Sequence, residues 1–209
     1  MFILCKLADT VRTKPHSFNK PFHDELIESL NKKFANKVVF NLGLCVCFYD
    51  FEKIGDSYIL PGDGSSYTKV VFRFVVFRPF IDEIVLGKIK SCSADGVTVS
   101  ITFFDDILIP KDKLPHPSRF QDTEQIWVWD YQTDDGTAEL FMEPGSEVRF
   151  KVVEEKFSET RPIDGSAPPD VAQPVLEDVV DDNSYKKIPY QIIGSMSEAG
   201  LGCLQWWNS

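Results

Sequence analysis

The chain has 209 residues, 43% of them hydrophobic and 13% aromatic, with 22 Lys+Arg against 32 Asp+Glu for a net charge of −10. That length suits one large domain or two small ones, and 17 Phe with 4 Trp exclude wholesale disorder because their burial offsets the ordering of the chain. The acidic balance excludes a nucleic-acid binder held by a general basic field, although local basic surfaces remain open. Cys5, Cys45, Cys47, Cys92 and Cys203 form no CxxC pair, and with only His16, His23 and His116 beside them no zinc site can be read. The apolar start, MFILCKL, is too short for a secretory segment, so the cysteines point to a reducing compartment. No apolar run approaches the roughly 18–20 residues of a membrane-spanning helix, and the chain reads as soluble with no membrane partner.

The first 80 residues predict strands over Phe2–Val11, Val38–Tyr49 and Lys69–Phe77. Between the first two, Phe22, Leu26, Leu30 and Phe34 recur at four-residue spacing, predicting a helix from Pro21 to about Asn36. Pro61-Gly62-Asp63-Gly64 is a turn or loop; turn geometry explains its glycines better than phosphate binding does. Both faces of these strands are greasy: Val38, Phe40, Leu42, Leu44, Val46 and Phe48 fall on one side of the second, with Val39, Cys45, Cys47 and Tyr49 on the other. In the third, Val71, Val75 and Phe77 oppose Val70, Phe72, Phe74 and Val76, broken only by Arg73. One helix of 16 residues spans about 24 Å and covers one side of a sheet. The other needs cover from the rest of the chain or from a separate partner.

From Glu83 the pattern changes to short strands between turns: Glu83–Lys90, Val97–Phe104, Ile126–Tyr131, Glu147–Val153 and Tyr190–Ser195. Five such strands predict a small barrel. Strict alternation places Phe104 on the polar face of its strand, where a base could stack on it between phosphates held by Lys88 and Lys90; the alternative is a bulge that turns Phe104 inward. Trp127, Trp129 and Tyr131 share one face and fit core or partner packing better than base stacking. Asp105 and Asp106 project oppositely from a strand and make no acid/base pair. With no nucleophile, P-loop or metal motif, no catalytic residue, metal or cofactor is expected. Net charge is +3 over 1–80, −8 over 81–157 and −5 over 158–209, and 158–187, rich in Pro, Asp and Glu, reads as a disordered acidic insertion.

KVVFRFVVFRPFIDEIVLGKIKSCSADGVTVSITFFDDILIP resembles the junction between the two domains of the larger subunit of the RNA polymerase stalk, a family found in eukaryotes and archaea. LNKKFANKVVFNLGLCVCFYD, the PGDG turn, EQIWVWDYQTDDG and IGSMSEAGLGCLQWW are similar to its RNA polymerase III branch. The resemblance covers nearly the whole chain, failing only in the acidic insertion. It implies an α+β fold: an N-terminal ribonucleoprotein-like α/β sandwich domain over 1–80, whose tip plugs into the polymerase core, and an all-β OB-fold barrel over 81–209. It further implies a nuclear, non-catalytic subunit that pairs with a smaller stalk subunit, docks on the RNA polymerase III core, meets initiation factors and touches emerging single-stranded RNA weakly. On that reading Lys88, Lys90, Phe104, Arg149 and Lys151 form the RNA face, and Val39, Tyr49, Pro61, Gly62, Asp63, Gly64, Val71, Val75 and Phe77 meet partner or core. A free-standing OB-fold RNA-binding protein of translation or RNA turnover is the rival; it would be monodisperse alone and bind single-stranded RNA tightly.

Overall fold

The structure, a computed structural model, describes residues 1–133, 136–158 and 188–207. Of the expected acidic insertion over 158–187, all but Ser158 lies outside the described residues. The chain begins with β1 (Phe2–Thr13), turns through Pro15–Ser17 into α1 (Phe22–Phe34), and continues as β2 (Lys37–Val39), β3 (Gly43–Ile59) and β4 (Ser66–Phe77). These strands form an antiparallel sheet of order β1-β4-β3-β2. Pro21 caps α1 from outside with φ −54° and ψ 132°, and Asp24 with Glu25 sit in the first turn where the helix dipole favours them. Leu26 and Leu30 are fully buried against the sheet, each gaining about 1.5–3 kcal/mol from leaving water. The Phe34 ring follows them onto Phe72 and Phe74, with centroids 5.8 and 6.0 Å away. Phe22, at the head of the same stripe, stays exposed.

The single strand expected over Val38–Tyr49 is broken in two. The Leu42 N–H donates to the Val39 carbonyl, Asn41 adopts φ 58°, and the chain doubles back so that Lys37 pairs with Cys45. Gly43 then enters β3 at φ 124°, where a Cβ would stand 2.5 Å from the Phe77 carbonyl oxygen, so only glycine fits. β3 runs on to Ile59, its register with β4 interrupted by four bulges, and Pro61–Gly64 becomes the tip of a long hairpin.

Alternation sends Ile3, Cys5, Leu7, Phe72, Phe74 and Val76 toward α1, and Phe2, Leu4, Val71, Val75 and Phe77 to the opposite face. Among the described residues, cover from within the chain reaches only the Phe77 end of that second face, where the rings of Phe103 and Phe104 lie 5.0 and 5.3 Å from Phe77. Phe77 is therefore fully buried, a correction to its expected role as a free interface residue. The rest of the face is open, crossed by the pairs Arg73–Asp50 and Lys6–Glu52.

The second half contributes β5 (Ile84–Ser93), β6 (Gly96–Ile101), β7 (Phe104–Pro110), β8 (Ser118–Gln121), β9 (Ile126–Thr133), β10 (Gly136–Met142), β11 (Glu147–Phe157), β12 (Tyr190–Ser195) and β13 (Gly202–Cys203). Pairing runs β5-β6-β7-β12-β11 and returns to β5, a closed five-stranded circuit with β12 parallel to β7 and the other pairs antiparallel. That circuit is an OB-type barrel filled by Val85, Val97, Val99, Ile107, Ile109, Phe150 and their neighbours. β8–β10 form a separate three-stranded sheet beside it. Trp127 is buried there, its indole N–H donating to the Ser93 carbonyl at 2.8 Å, and Trp129 packs 5.3 Å from Trp206, so core packing accounts for both. Tyr131 stays exposed.

Phe104 requires a second correction. The strand expected over Val97–Phe104 ends at Ile101, the chain reverses at Thr102 and Phe103, and Phe104 opens β7 directly opposite Ile101. That reversal resets the alternation, so Phe104 points inward with only 6% of its surface exposed, packed on Phe77 and on Tyr190 at 5.5 Å. No base can stack on it.

Arg78 fastens the two sheets together. Its guanidinium grips the Glu155 carboxylate, with Nε 3.1 and 3.0 Å from the two oxygens, while Nη1 donates to the Asn41 carbonyl at 3.0 Å. Arg78 also lies 5.8 Å from the centroid of Phe157, which stacks on Tyr190 at 4.5 Å. Burial, reinforced by Glu155, pushes the Tyr190 phenol well above its ordinary pKa. The following segment is tied down as well: the Asp82 N–H donates to the Val152 carbonyl and the Val152 N–H to the Glu83 carbonyl.

Candidate docking and nucleic-acid interface

The four expected cations stand on neighbouring outward rows of the barrel wall but do not converge. Lys88 opposes Glu147 across the β5–β11 ladder, whereas Lys151 opposes Ile84 four residues away, about 13 Å along the strand. Exposed Leu86, opposite Arg149, sits between them. Each lysine also has acidic company: Lys88 lies 3.5 Å from Glu147, Lys90 2.9 Å from Asp105, and Lys151 3.0 and 2.7 Å from Asp82 and Glu198. Arg149 is half-buried and donates to the Gly200 carbonyl at 3.5 Å. The Ser100 hydroxyl and then Lys90 hold the Asp105 carboxyl below its usual range, so it remains ionised and neutralises Lys90. This wall is a mosaic of compensated charges and not one basic surface.

The expected interface residues fall into three places. Pro61, Gly62, Asp63 and Gly64 are exposed at the hairpin tip, where Asp63 accepts hydrogen bonds from Arg12 of β1 and Tyr67 of β4 and so pins the loop to those two strands. Exposed Ile59 and Leu60 precede the tip, and Tyr58 stacks on Tyr67 at 5.9 Å. Tyr49, Val71 and Val75 belong to the open sheet face; the Arg73 guanidinium caps the Tyr49 ring at 5.3 Å. Val39 is half-buried in the short edge strand β2 and packs against the helix-side core.

The most prominent exposed apolar surface includes residues that sequence reasoning did not single out. Phe2 and Leu4 on the open face are 46% and 48% exposed, and the Phe2 ring stacks 5.9 Å from Phe103, itself 45% exposed. Beyond the β6–β7 turn, Leu86, Ile101 and Thr102 line one depression of about 350 Å³ on the barrel wall. Phe2, Leu4 and Phe103 therefore form an apolar ridge that spans the junction of sheet and barrel, and exposed Leu86 lies beyond it on the barrel wall. The alternation of Phe2 and Leu4 was readable in the sequence; the outward turn of Phe103 was not.

Such a molecule belongs to the class of two-domain assembly subunits, in which a one-helix sheet module fixed to an OB-type barrel presents an exposed apolar ridge. Residues 83–207 match the family described as RNA polymerase III subunit Rpc25, and residues 8–64 match the SHS2 domain found in the N terminus of Rpb7p/Rpc25p/MJ0397. The chain belongs to the Rpc25 family of RNA polymerase III subunits, the stalk subunits. It is 50% identical over 209 residues to DNA-directed RNA polymerase III subunit RPC8 of Bos taurus, and 44% identical over 211 residues to the rpc8 subunit of Schizosaccharomyces pombe, with 100% of each chain covered in both cases. A more distant relative, the RNA polymerase II subunit RPB7 of Saccharomyces cerevisiae, is 31% identical over 136 residues, covering 60% of this chain and 80% of that one.

Proposed function

We propose that this polymerase subunit acts in the nucleus as a non-catalytic stalk element of RNA polymerase III. In this reading it docks on the core together with a smaller stalk subunit, supports initiation through contacts with initiation factors, and touches emerging single-stranded RNA weakly. The ridge of Phe2, Leu4 and Phe103, with Leu86 beyond it, carries the reading, because four large apolar side chains left in water across two modules favour a permanent partner. The hairpin tip, with the open face carrying Tyr49, Val71 and Val75, supplies the seat on the core.

The double variant Leu4→Asp/Phe103→Asp tests it. Both side chains are about half exposed, so the variant should fold with a nearly unchanged melting curve yet be absent from affinity-purified RNA polymerase III. Stoichiometric retention would remove the ridge from the assembly.

The RNA contact falls to Lys88, Lys90, Arg149 and Lys151, without Phe104. Asp105→Asn releases Lys90 from a surface pair worth about 0.2–1 kcal/mol, so binding of a single-stranded RNA should tighten by roughly 1.5- to 5-fold. The salt dependence should steepen by up to about one unit of slope. If fluorescence anisotropy finds affinity and slope both unchanged, Lys90 does not touch RNA.

A further inference from the structure

A groove of about 510 Å³ lies between the outer edge of β1 and the flank of α1, away from both the ridge and the barrel wall. Three observations meet there. β1 is the edge of its sheet, with β4 on one side and, among the described residues, no strand on the other, so Asp9–Arg12 present backbone donors and acceptors along the floor. The wall from α1 contains Glu25, 8% exposed, whose Oε2 is buried and accepts no hydrogen bond, with the Lys20 ammonium 3.7 Å away. The rim is cationic. Lys20 and Lys33 are engaged by Glu28 and Asp9, and Lys32 acts on Glu28 only through its charge from one helical turn away, whereas Lys14 and His16 have no acidic partner among the described residues.

We infer that this groove takes an extended, acidic protein segment, which adds to the β1 edge as a further strand between β1 and α1. An edge strand flanked by a helix is a geometry in which main-chain hydrogen bonds supply affinity and side pockets supply selectivity. The added strand brings an N–H donor to Glu25 Oε2, and its carboxylates meet Lys14 and Lys32 at the two ends of the groove. A nucleic-acid strand is the poorer fit, because a sugar-phosphate backbone has no alternating N–H and C=O groups to pair with the main chain of the β1 edge.

The test uses the full chain and a fluorescent octapeptide of alternating Val and Glu, compared with its Val/Lys counterpart and with a form N-methylated at every second residue. The acidic peptide should bind at least ten-fold tighter than the basic one at low salt and weaken several-fold between 50 and 300 mM salt. It should shift the amide resonances of Asp9–Arg12. Lys14→Glu/Lys32→Glu, two exposed positions whose exchange leaves the fold intact, should weaken it at least ten-fold, and N-methylation of the pairing edge should abolish binding. Equal affinity for acidic and basic peptides, an unaffected N-methylated form, or amide shifts confined to other strands would overturn the proposal. So would a single-stranded RNA that competes for the groove with the same sensitivity to Lys14 and Lys32.

Discussion

Phe104→Ala should lower the melting temperature more than any other single exchange considered for this chain. The ring fills the joint between sheet and barrel, touching Phe77 and Tyr190, and its loss leaves a cavity that neighbours on two rigid modules cannot close. A buried Phe→Ala change costs about 3–5 kcal/mol. At about 2–4 °C per kcal/mol for a chain of this length, the midpoint should fall by roughly 6–20 °C. Phe103→Ala, one residue earlier on the solvent side, should cost about 1 kcal/mol or less. Calorimetry on the two variants separates a packing residue from a stacking one: similar small shifts for both would contradict the inward placement of Phe104.

The second large effect is expected at Arg78. Alanine there removes the fork to Glu155 and the bond to the Asn41 carbonyl, and leaves the half-buried Glu155 carboxylate facing Tyr190 without its counter-charge. Hydrogen bonds to charged groups contribute about 1.5–3 kcal/mol, which corresponds to a midpoint lower by roughly 3–12 °C. Arg78→Lys should recover only part of this, because an ammonium cannot match the planar two-pronged geometry. The loosened junction should also be cut faster by chymotrypsin after the exposed Phe80. An unchanged melt together with an unchanged cleavage rate would show that the two sheets are held together without Arg78.

Much of this architecture is legible in the residues. The stripe of Leu26, Leu30 and Phe34 marks the helix, and the alternation of Val97, Val99 and Ile101 marks a barrel stave. The greasy second face of the first sheet is also plain, along with its need for cover. What alternation cannot report is where a strand reverses. A slip of one residue exchanges the faces, so the turn at Thr102–Phe103 moved the stacking assignment from the exposed ring to the buried one. The turn at Asn41, which depends on a left-handed residue followed by Gly43, was hidden inside an apolar run. The lysines read as one basic surface because their partners, such as Glu198 for Lys151, are contributed by strands and loops far away in the chain. The grip of Arg78 on Glu155, 77 residues downstream, is invisible to local pattern for the same reason.

The position of β12 between β7 and β11 has a consequence for how the molecule is made. Every neighbour in the first sheet lies within Phe2–Phe77, so that module can complete its pairing early in synthesis. The barrel cannot, because its final stave, Tyr190–Ser195, emerges from the ribosome after almost everything else, and until then β7 and β11 offer bare flanks to whatever is nearby. A nascent chain therefore passes through a stage as a finished half joined to an unclosed cylinder.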